Sequence, residues 1–264
     1  MAEDPLSISP DKLAIGSAQL PFAEQIAFFR SKMGNLIPTA TWRDVMLSGH
    51  DSGFMVAGAM KADLLAELAA LVDQSIAEGK GIEWFRQNFD DIVARAGWAY
   101  NGERNWRTRV IYQTNLSTSY AAGRLAQLRS PDLRKAAPLW MYKHTDGESH
   151  PRPLHESWDG LTLPADDPWW SDHYPPNGWG CQCYVIAVSK GTAERLGGRI
   201  EDPPDDGTYT TKDGTELPNG IDQGWNYAPG DTVSQQIQDS ILQKLSNLPD
   251  AIASGLRNDL GSRK

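Results

Sequence analysis

The stretch from residue 151 to residue 185 constrains the fold more than any other part of this 264-residue chain. It reads PRPLHESWDGLTLPADDPWWSDHYPPNGWGCQCYV and contains both cysteines, two of the five histidines and four of the ten tryptophans. Proline fixes φ and glycine reaches φ values that other residues avoid, so this composition predicts an irregular, turn-rich backbone. Tryptophan rings bury a large area and offer one N–H donor each, which suits them to hold such a backbone in place.

The composition of the whole chain narrows the class of protein. Hydrophobic residues make up 40% of it, enough for a real core, and the net charge is −9 with a pI near 5.0. An acidic chain is not expected to bind nucleic acid over its whole surface, although a local basic face stays open. The first residues resemble no signal peptide and no stretch reaches the apolar length of a membrane span, so we expect a cytoplasmic protein with no membrane partner.

The first half of the chain shows the hydrophobic period of α-helices. The pattern predicts helices from residue 21, over 60–78, from residue 82 to Gly97 and over 105–129, with a short helix beginning at Trp42 behind the N-cap Thr41.

From Leu139 onward the pattern changes, which predicts a different kind of structure. PLWMYKHT and CYVIAVS are typical of strands, one weak hairpin is expected between residues 199 and 225, and the last stretch is helical again. The predicted class is therefore α+β, with a mainly helical N-terminal half, a small Trp/Pro/Gly-rich α+β core and a helical C-terminal tail. The predicted parts are an arm (1–20), a helical region (21–138), the core (139–231) and the tail (232–264).

The histidines and cysteines of the central stretch allow two interpretations. His155, His173, Cys181 and Cys183 offer the nitrogen and sulfur ligands that zinc prefers, although their spacing matches no common zinc finger. Alternatively, the cysteines are small buried hydrophobic residues at the start of a strand. The structural interpretation accounts best for the density of tryptophan and proline. A bound zinc ion stays open as an additional stabilising element.

Catalysis is a separate interpretation of the same stretch. His150 or His155 is a candidate general acid or base, and Cys181 is a candidate nucleophile activated by a histidine. The chain contains no G-x-S-x-G, H-E-x-x-H or P-loop motif, so we do not expect an enzyme. In the structural interpretation Arg152 ties together loop carbonyls or Asp159.

The arginine-rich helix predicted over 105–129 also allows two interpretations. Arg104, Arg107, Arg109 and Arg124 are candidates to contact phosphate groups or a partner. The simpler interpretation, which we favour, is a solvated helix whose arginines pair with the acidic majority of the chain.

Several segments together resemble the Mu F-like head morphogenesis proteins of tailed bacteriophages. The resemblance lies in PFAEQIAFFRSKM with TWRDV, in RTRVIYQTNLSTSYAAGR, in an Arg-x-x-His-x-x-x-x-Gly element and in a closing Pro-Pro-x-Gly-x-Gly-Cys-x-Cys turn. The last two elements comprise Arg152, His155, Gly160, Pro175, Pro176, Gly178, Gly180, Cys181 and Cys183. One departure is Gln182, where the family usually has arginine, so a role for this position in gripping phosphate is weakened.

The resemblance implies a virion component and not a metabolic enzyme. Such proteins are made in the cytoplasm of the infected host, join the procapsid with portal, capsid and scaffold proteins, and stay inside the head as a minor component. For some of them it also implies contact with double-stranded DNA, and for the His/Cys cluster a metal site. The alternative function is a metal- or histidine-dependent hydrolase or toxin-like enzyme that uses the cluster of His150, His155, His173, Cys181 and Cys183.

Overall fold

The computed structural model describes residues 22–145 and 151–232, so the predicted arm and nearly all of the predicted tail lie outside the described residues. The described part combines helices with two small sheets, which confirms the mixed α+β class. The helices are α1 (Ala23–Lys32), α2 (Gly49–Ser52), α3 (Ala62–Glu78), α4 (Ile82–Ala96), α5 (Arg104–Leu128), α6 (Pro131–Ala136), α7 (Pro153–Ser157), α8 (Trp170–His173) and α9 (Lys190–Arg195). The strands are β1 (Leu139–Lys143), β2 (Leu161–Pro164), β3 (Tyr184–Val188), β4 (Arg199–Ile200), β5 (Thr208–Thr210) and β6 (Glu216–Pro218).

Helices α3 and α4 end where local chemistry predicts. Gly79 and Gly97 follow them with φ of 64° and 59°, and the N–H of each bonds back to a carbonyl of the last turn. Glycine adopts this left-handed conformation without the steric cost that a Cβ adds, so it stops each helix cleanly. The apolar stripes of the two helices then pack together with Phe29 and Phe54 in a first hydrophobic core, which we call the helical core.

The short helix predicted at Trp42 does not form, and a turn takes its place. The carboxylate of Asp44 accepts hydrogen bonds from the backbone N–H groups of Ala40 and Thr41, at 2.7 and 3.1 Å, and from the Thr41 hydroxyl at 2.6 Å. A side chain that satisfies nearby backbone donors competes with helix formation. The prediction was therefore wrong because the residue assigned to the first helical turn closes a tight turn instead.

Helix α5 is the longest element and connects two cores. Its 25 residues span about 37 Å at 1.5 Å per residue. Ile111, in its first half, belongs to the helical core, whereas Leu125 and Leu128 belong to a second core around the sheet, the central core. Gly123 lets α1 cross closely, since a Cβ there would lie 2.7 Å from the backbone nitrogen of Gln25. The domain boundaries read from the sequence stay predictions, because this helix serves both cores.

The larger sheet has the strand order β3-β1-β2-β4. Strand β1 pairs antiparallel with β2 and β3, and β4 joins β2 in parallel. β1 is buried on both faces: Trp140 and Tyr142 point into the central core, and Met141 packs on the opposite face with Val188. The two longer strands agree with the two strands predicted from the sequence.

Aromatic rings fill the central core, as the tryptophan content predicts. Trp158 is 1% exposed, contacts the rings of Tyr142 and Trp169, and donates its Nε1–H to Asp206 at 2.7 Å. The predicted hairpin is the pair β5–β6. Across the two described ranges, the helices lack the combination of length and apolar character that crossing a bilayer requires.

Candidate functional site

Cys181, Cys183 and His155 converge in the central core. The two cysteines lie just before β3, and His155 lies in the short helix α7, which Pro153 begins. The His155 Nδ1 atom is 3.6 Å from the Cys181 sulfur and 3.7 Å from the Cys183 sulfur, and all three residues are buried. Residues two apart in extended backbone point to the same side, which is why Cys-x-Cys presents both sulfurs to one imidazole.

The tautomer of His155 follows from its other contact. Its Nε2 atom lies 2.8 Å from the carbonyl oxygen of Gly220, and a carbonyl oxygen only accepts, so Nε2 carries the proton and donates it. In the neutral ring Nδ1 then holds the lone pair that faces the two sulfurs. Metal-binding histidines are oriented in the same way, with the second ring nitrogen bonded to a carbonyl or carboxylate.

The three donor atoms fit a zinc ion in chemistry and in spacing. Each atom lies within 4.8 Å of the other two. With zinc–sulfur bonds of about 2.3 Å and zinc–nitrogen bonds of about 2.0 Å, tetrahedral coordination places a nitrogen and a sulfur ligand about 3.5 Å apart. The observed distances of 3.6 and 3.7 Å match that separation closely. A zinc ion bound here would be coordinated by these three buried side chains and by a fourth ligand.

His144 is a further donor that the sequence interpretation missed. Its Nδ1 atom lies 3.4 Å from the sulfur of Cys183, and its side chain is half-buried at the end of β1. The sheet register explains the contact, because Lys143 pairs with Tyr184 and the next pair along is His144 with Cys183. Pairing the two predicted strands antiparallel would have revealed it. His150, the other histidine considered, lies outside the described residues.

His173 does not join this group, although the sequence interpretation placed it among the ligands. Its Nδ1 atom lies 3.0 Å from the carbonyl oxygen of Trp169, and the two rings stack at 4.1 Å. Burial lowers the pKa of His173 below its usual value, which keeps the ring neutral and suits it to aromatic packing.

The environment of Cys181 does not favour a nucleophile. The Cys183 contact and then burial raise the pKa of the Cys181 thiol well above its ordinary value, and the residue is only 2% exposed. A nucleophilic cysteine requires the thiolate and access to a substrate. A bound metal ion would convert this thiol to a thiolate by coordination. The thiolate would then serve as a metal ligand and not as a nucleophile.

Arg152 holds the closing turn together through a carboxylate that the sequence interpretation did not identify. Its Nη2 atom donates to Asp222 at 2.7 Å and to the carbonyl oxygen of Trp179 at 3.1 Å. Asp222 also accepts from the Trp179 N–H at 3.0 Å. The loop-carbonyl contact agrees with the prediction, but Asp159 is engaged elsewhere, with Lys143 at 2.7 Å.

Other motif residues shape the backbone around the cluster. A Cβ at Gly178 would lie 2.4 Å from the Asp222 carboxylate, so only glycine fits beside the ion pair. Gly160 and Gly180 have φ of 81° and 76°, and the Pro175–Pro176 bond is cis. These residues set the conformation of the main chain, which is consistent with the structural interpretation of the motif.

The four arginines of the basic helix do not share one face of α5. Arg104 pairs with Asp90 at 2.6 Å, and the buried Arg107 donates to the carbonyl oxygen of Asn101. Arg124 bonds Gln127 at 2.7 Å, and Arg109 is exposed. Contact with nucleic acid stays a prediction for these residues.

Comparison with known proteins places the chain beside phage proteins. Residues 66–186, which include β1 and both cysteines, match the family model described as Phage Mu protein F like protein. The chain is 30% identical to "Putative capsid assembly protein F" of Escherichia phage Mu over 270 residues, covering 89% of this chain and 60% of that protein. It is 33% identical to "Mu-like prophage FluMu F protein" of Haemophilus influenzae over 173 residues, 61% of this chain and 41% of that protein.

The chain thus spans about three fifths and two fifths of the lengths of these two relatives. No solved structure matches it.

Proposed function

The chain belongs to the Phage Mu protein F like family through residues 66–186, and on this premise we propose that it acts in assembling the head of a tailed bacteriophage. The observation that carries the proposal is the alignment of 89% of the chain with a protein named for capsid assembly. The proposed partners are the portal, capsid and scaffold proteins, and the proposed location is the interior of the head.

The structure is suited to a building block of an assembly. Two hydrophobic cores share helix α5, and the central core adds a dense set of contacts among aromatic rings and short turns. Such a body keeps its surface in a defined arrangement, so partners bind it without a large ordering cost.

Removing the gene from the parent phage or prophage tests the proposal. We expect fewer filled heads by electron microscopy, and recovery when the gene is supplied from a plasmid. A tagged copy is expected to copurify with portal protein from induced cells. Normal head yield and infectivity without the gene would overturn the proposal.

We further propose that Cys181, Cys183 and His155 bind one structural zinc ion. The supporting observation is the match between their spacing and tetrahedral coordination, together with the Gly220 carbonyl that orients His155. His144 is the proposed fourth ligand, because it lies beside Cys183; it is outside the group of three whose donor atoms are all within 4.8 Å, so its ring would have to move closer to coordinate the ion. The ion would fasten β1, β3 and α7 to one another, and so stabilise the turn that carries the cysteines.

Elemental analysis of the purified protein tests the zinc proposal. We expect about one zinc per chain, lost in Cys181→Ser and in Cys183→Ser. His173→Phe is the matched control, because it replaces a nearby buried imidazole that lies outside the group and keeps a ring against Trp169. A zinc-free wild type, or equal zinc loss in the control, would contradict the assignment.

The same variants separate a structural metal from the alternative of a hydrolase. If Cys181→Ser loses both zinc and thermal stability, the metal is structural. If the variant stays folded but a nuclease or cell-wall hydrolase activity of the wild type disappears, the metal is catalytic.

A further inference from the structure

A large cleft lies between the helical part of the chain and the loops that follow the central core. Its volume is about 690 Å³, and four tryptophans line it: Trp42, Trp106, Trp179 and Trp225. We call it the tryptophan cleft. The zinc group does not line it, and the Arg152–Asp222 ion pair touches it only through the backbone of Trp179.

Lys32 is the unusual residue of the cleft. It is the last residue of α1, lines the cleft and is only 5% exposed. Its ammonium group makes no hydrogen bond or close ion pair with any described residue, and it lies 5.5 Å from the centroid of the Phe28 ring. Because Lys32 is almost fully buried, its ammonium group is poorly hydrated, so an acceptor supplied by a ligand in the cleft would be favourable.

The nearest carboxylate does not supply that acceptor. Asp51 attracts Lys32 electrostatically, but its Oδ2 atom accepts from the Gly230 N–H at 2.9 Å and from the Thr232 hydroxyl at 3.0 Å. These bonds hold Asp51 to the chain that leaves the central core. Lys32 therefore has no hydrogen-bonded acceptor among the described residues, and it lines the cleft.

Thr39 lines the cleft, but its hydroxyl is not accessible from it. The hydroxyl of Thr39 is buried and has no hydrogen bond within the described structure. Arg107 adds a second positive charge to the lining, and none of the described residues that line the cleft is an aspartate or glutamate. The chain carries 34 acidic residues against 25 lysines and arginines, so a cleft with two cations and no carboxylate is complementary to an anion.

The rim of the cleft has the composition of a protein-binding surface. Trp106 is 53% exposed and Trp179 is 41% exposed, although both are large hydrophobic residues. Tryptophan and arginine are enriched among the residues that contribute most to protein–protein binding, especially where a pocket receives a side chain. Open tryptophan walls around a buried cation favour a polypeptide segment over a fully enclosed small molecule.

We propose that the tryptophan cleft binds a short segment of a partner polypeptide, which presents an aspartate or glutamate to Lys32. Apolar side chains on either side of that carboxylate pack between the tryptophans. The proposal rests on the proposed function for the source of the segment, another protein of the phage head, but its chemistry depends only on the cleft.

An array of immobilised peptides identifies the segment. Overlapping 15-residue peptides covering the portal, capsid and scaffold proteins of the parent phage are probed with the full-length purified protein. We expect the bound peptides to share an acidic residue between apolar residues. Thr114→Trp, which fills the cleft from α5, is expected to abolish binding. No peptide bound above the level of that filled variant, or bound peptides without acidic residues, would overturn the proposal.

A double-mutant cycle in solution assigns the contact to Lys32. Replacing glutamate by glutamine in the best peptide, or Lys32→Met in the protein, is expected to weaken binding about tenfold or more, the effect of losing a charged hydrogen bond. The two changes together should cost little more than either alone. Lys212→Met, at an exposed hairpin lysine, is the matched control and should bind as the wild type does. Equal peptide affinity for the wild type and Lys32→Met would overturn the proposal.

Complementation separates this inference from the proposed function. Heads that fail to assemble without the gene, but assemble normally with Lys32→Met and with Thr114→Trp, would leave the assembly role standing and refute the cleft. Heads that assemble without the gene would refute the assembly role, while the peptide cycle would still decide the chemistry of the cleft.

Discussion

Lys32→Met is expected to stabilise the protein near neutral pH. Burial lowers the pKa of Lys32 from its ordinary 10.5 to about 8, mainly because the ammonium group has lost its water. A difference of this size corresponds to about 3 kcal/mol of destabilisation by the charged form, at about 1.4 kcal/mol per pKa unit. Methionine fills a similar volume without charge, although the variant loses the contact with the Phe28 ring. We expect a gain of about 2 kcal/mol at pH 7.

The stability difference between Lys32→Met and the wild type is expected to depend on pH. The unfolded chain holds the Lys32 proton up to a higher pH than the folded chain, so the wild type gains stability as pH rises from about 8 to 10.5. Below pH 8 the full penalty is present. The advantage of Lys32→Met should therefore be largest at pH 7 and small above pH 10.5. The charged or titratable neighbours are Asp51, whose pKa burial raises to about 6, and His50, whose pKa burial lowers to about 4, so neither titrates in this window.

Urea unfolding followed by circular dichroism measures the effect. The wild type, Lys32→Met and the surface control Lys212→Met are compared at pH 7 and pH 10.5, so that other groups titrating at high pH cancel in the difference. A variant less stable than the wild type at pH 7, or a difference that does not shrink at pH 10.5, would refute the reasoning. It would mean that the ammonium group already has a favourable partner within the folded chain.

Three further predictions concern the central core. Gly220→Ala should destabilise the fold by about 2–4 kcal/mol in chemical denaturation, because φ is 87° and the new Cβ would lie 2.5 Å from the Trp158 ring; an unchanged midpoint would contradict this. Tyr174→Phe should cost about 1 kcal/mol, because it removes a buried bond to the Ala121 carbonyl of α5 at 3.1 Å; no loss in thermal or urea unfolding would show that the bond does not contribute. Treatment with a zinc chelator should lower the melting temperature and zinc should restore it, with about 4 kcal/mol at a free concentration 1,000 times Kd; Cys181→Ser should not respond to either.

Much of the local structure was predictable because it depends on neighbours in the chain. The glycines after α3 and α4 and the apolar periods of the helices predicted these elements closely. The same kind of reasoning was wrong at Trp42, where the Asp44 side chain bonds the backbone of the preceding residues. The two outcomes were local alternatives of similar cost, and the sequence pattern did not distinguish them.

The candidate site was predictable in its donors but not in their arrangement. The sequence identified His155, Cys181 and Cys183, yet it offered His173 as an equal candidate and missed His144. Which imidazole reaches the sulfurs depends on strand register and on helix placement, and these are set by packing across the whole core.

The sequence by itself determined the residue types, the helical and strand periods, and the turn-rich stretch from residue 151 to residue 185. The tertiary structure decided which of these residues meet: His144 with Cys183, 39 positions apart, and Gly230 with Asp51, 179 positions apart. It also decided that Lys32, an ordinary lysine in the sequence, is buried in a cleft where no described residue accepts a hydrogen bond from it. The physical reason is that burial and charge pairing depend on every element packed around a group, whereas propensity depends only on its neighbours in the chain.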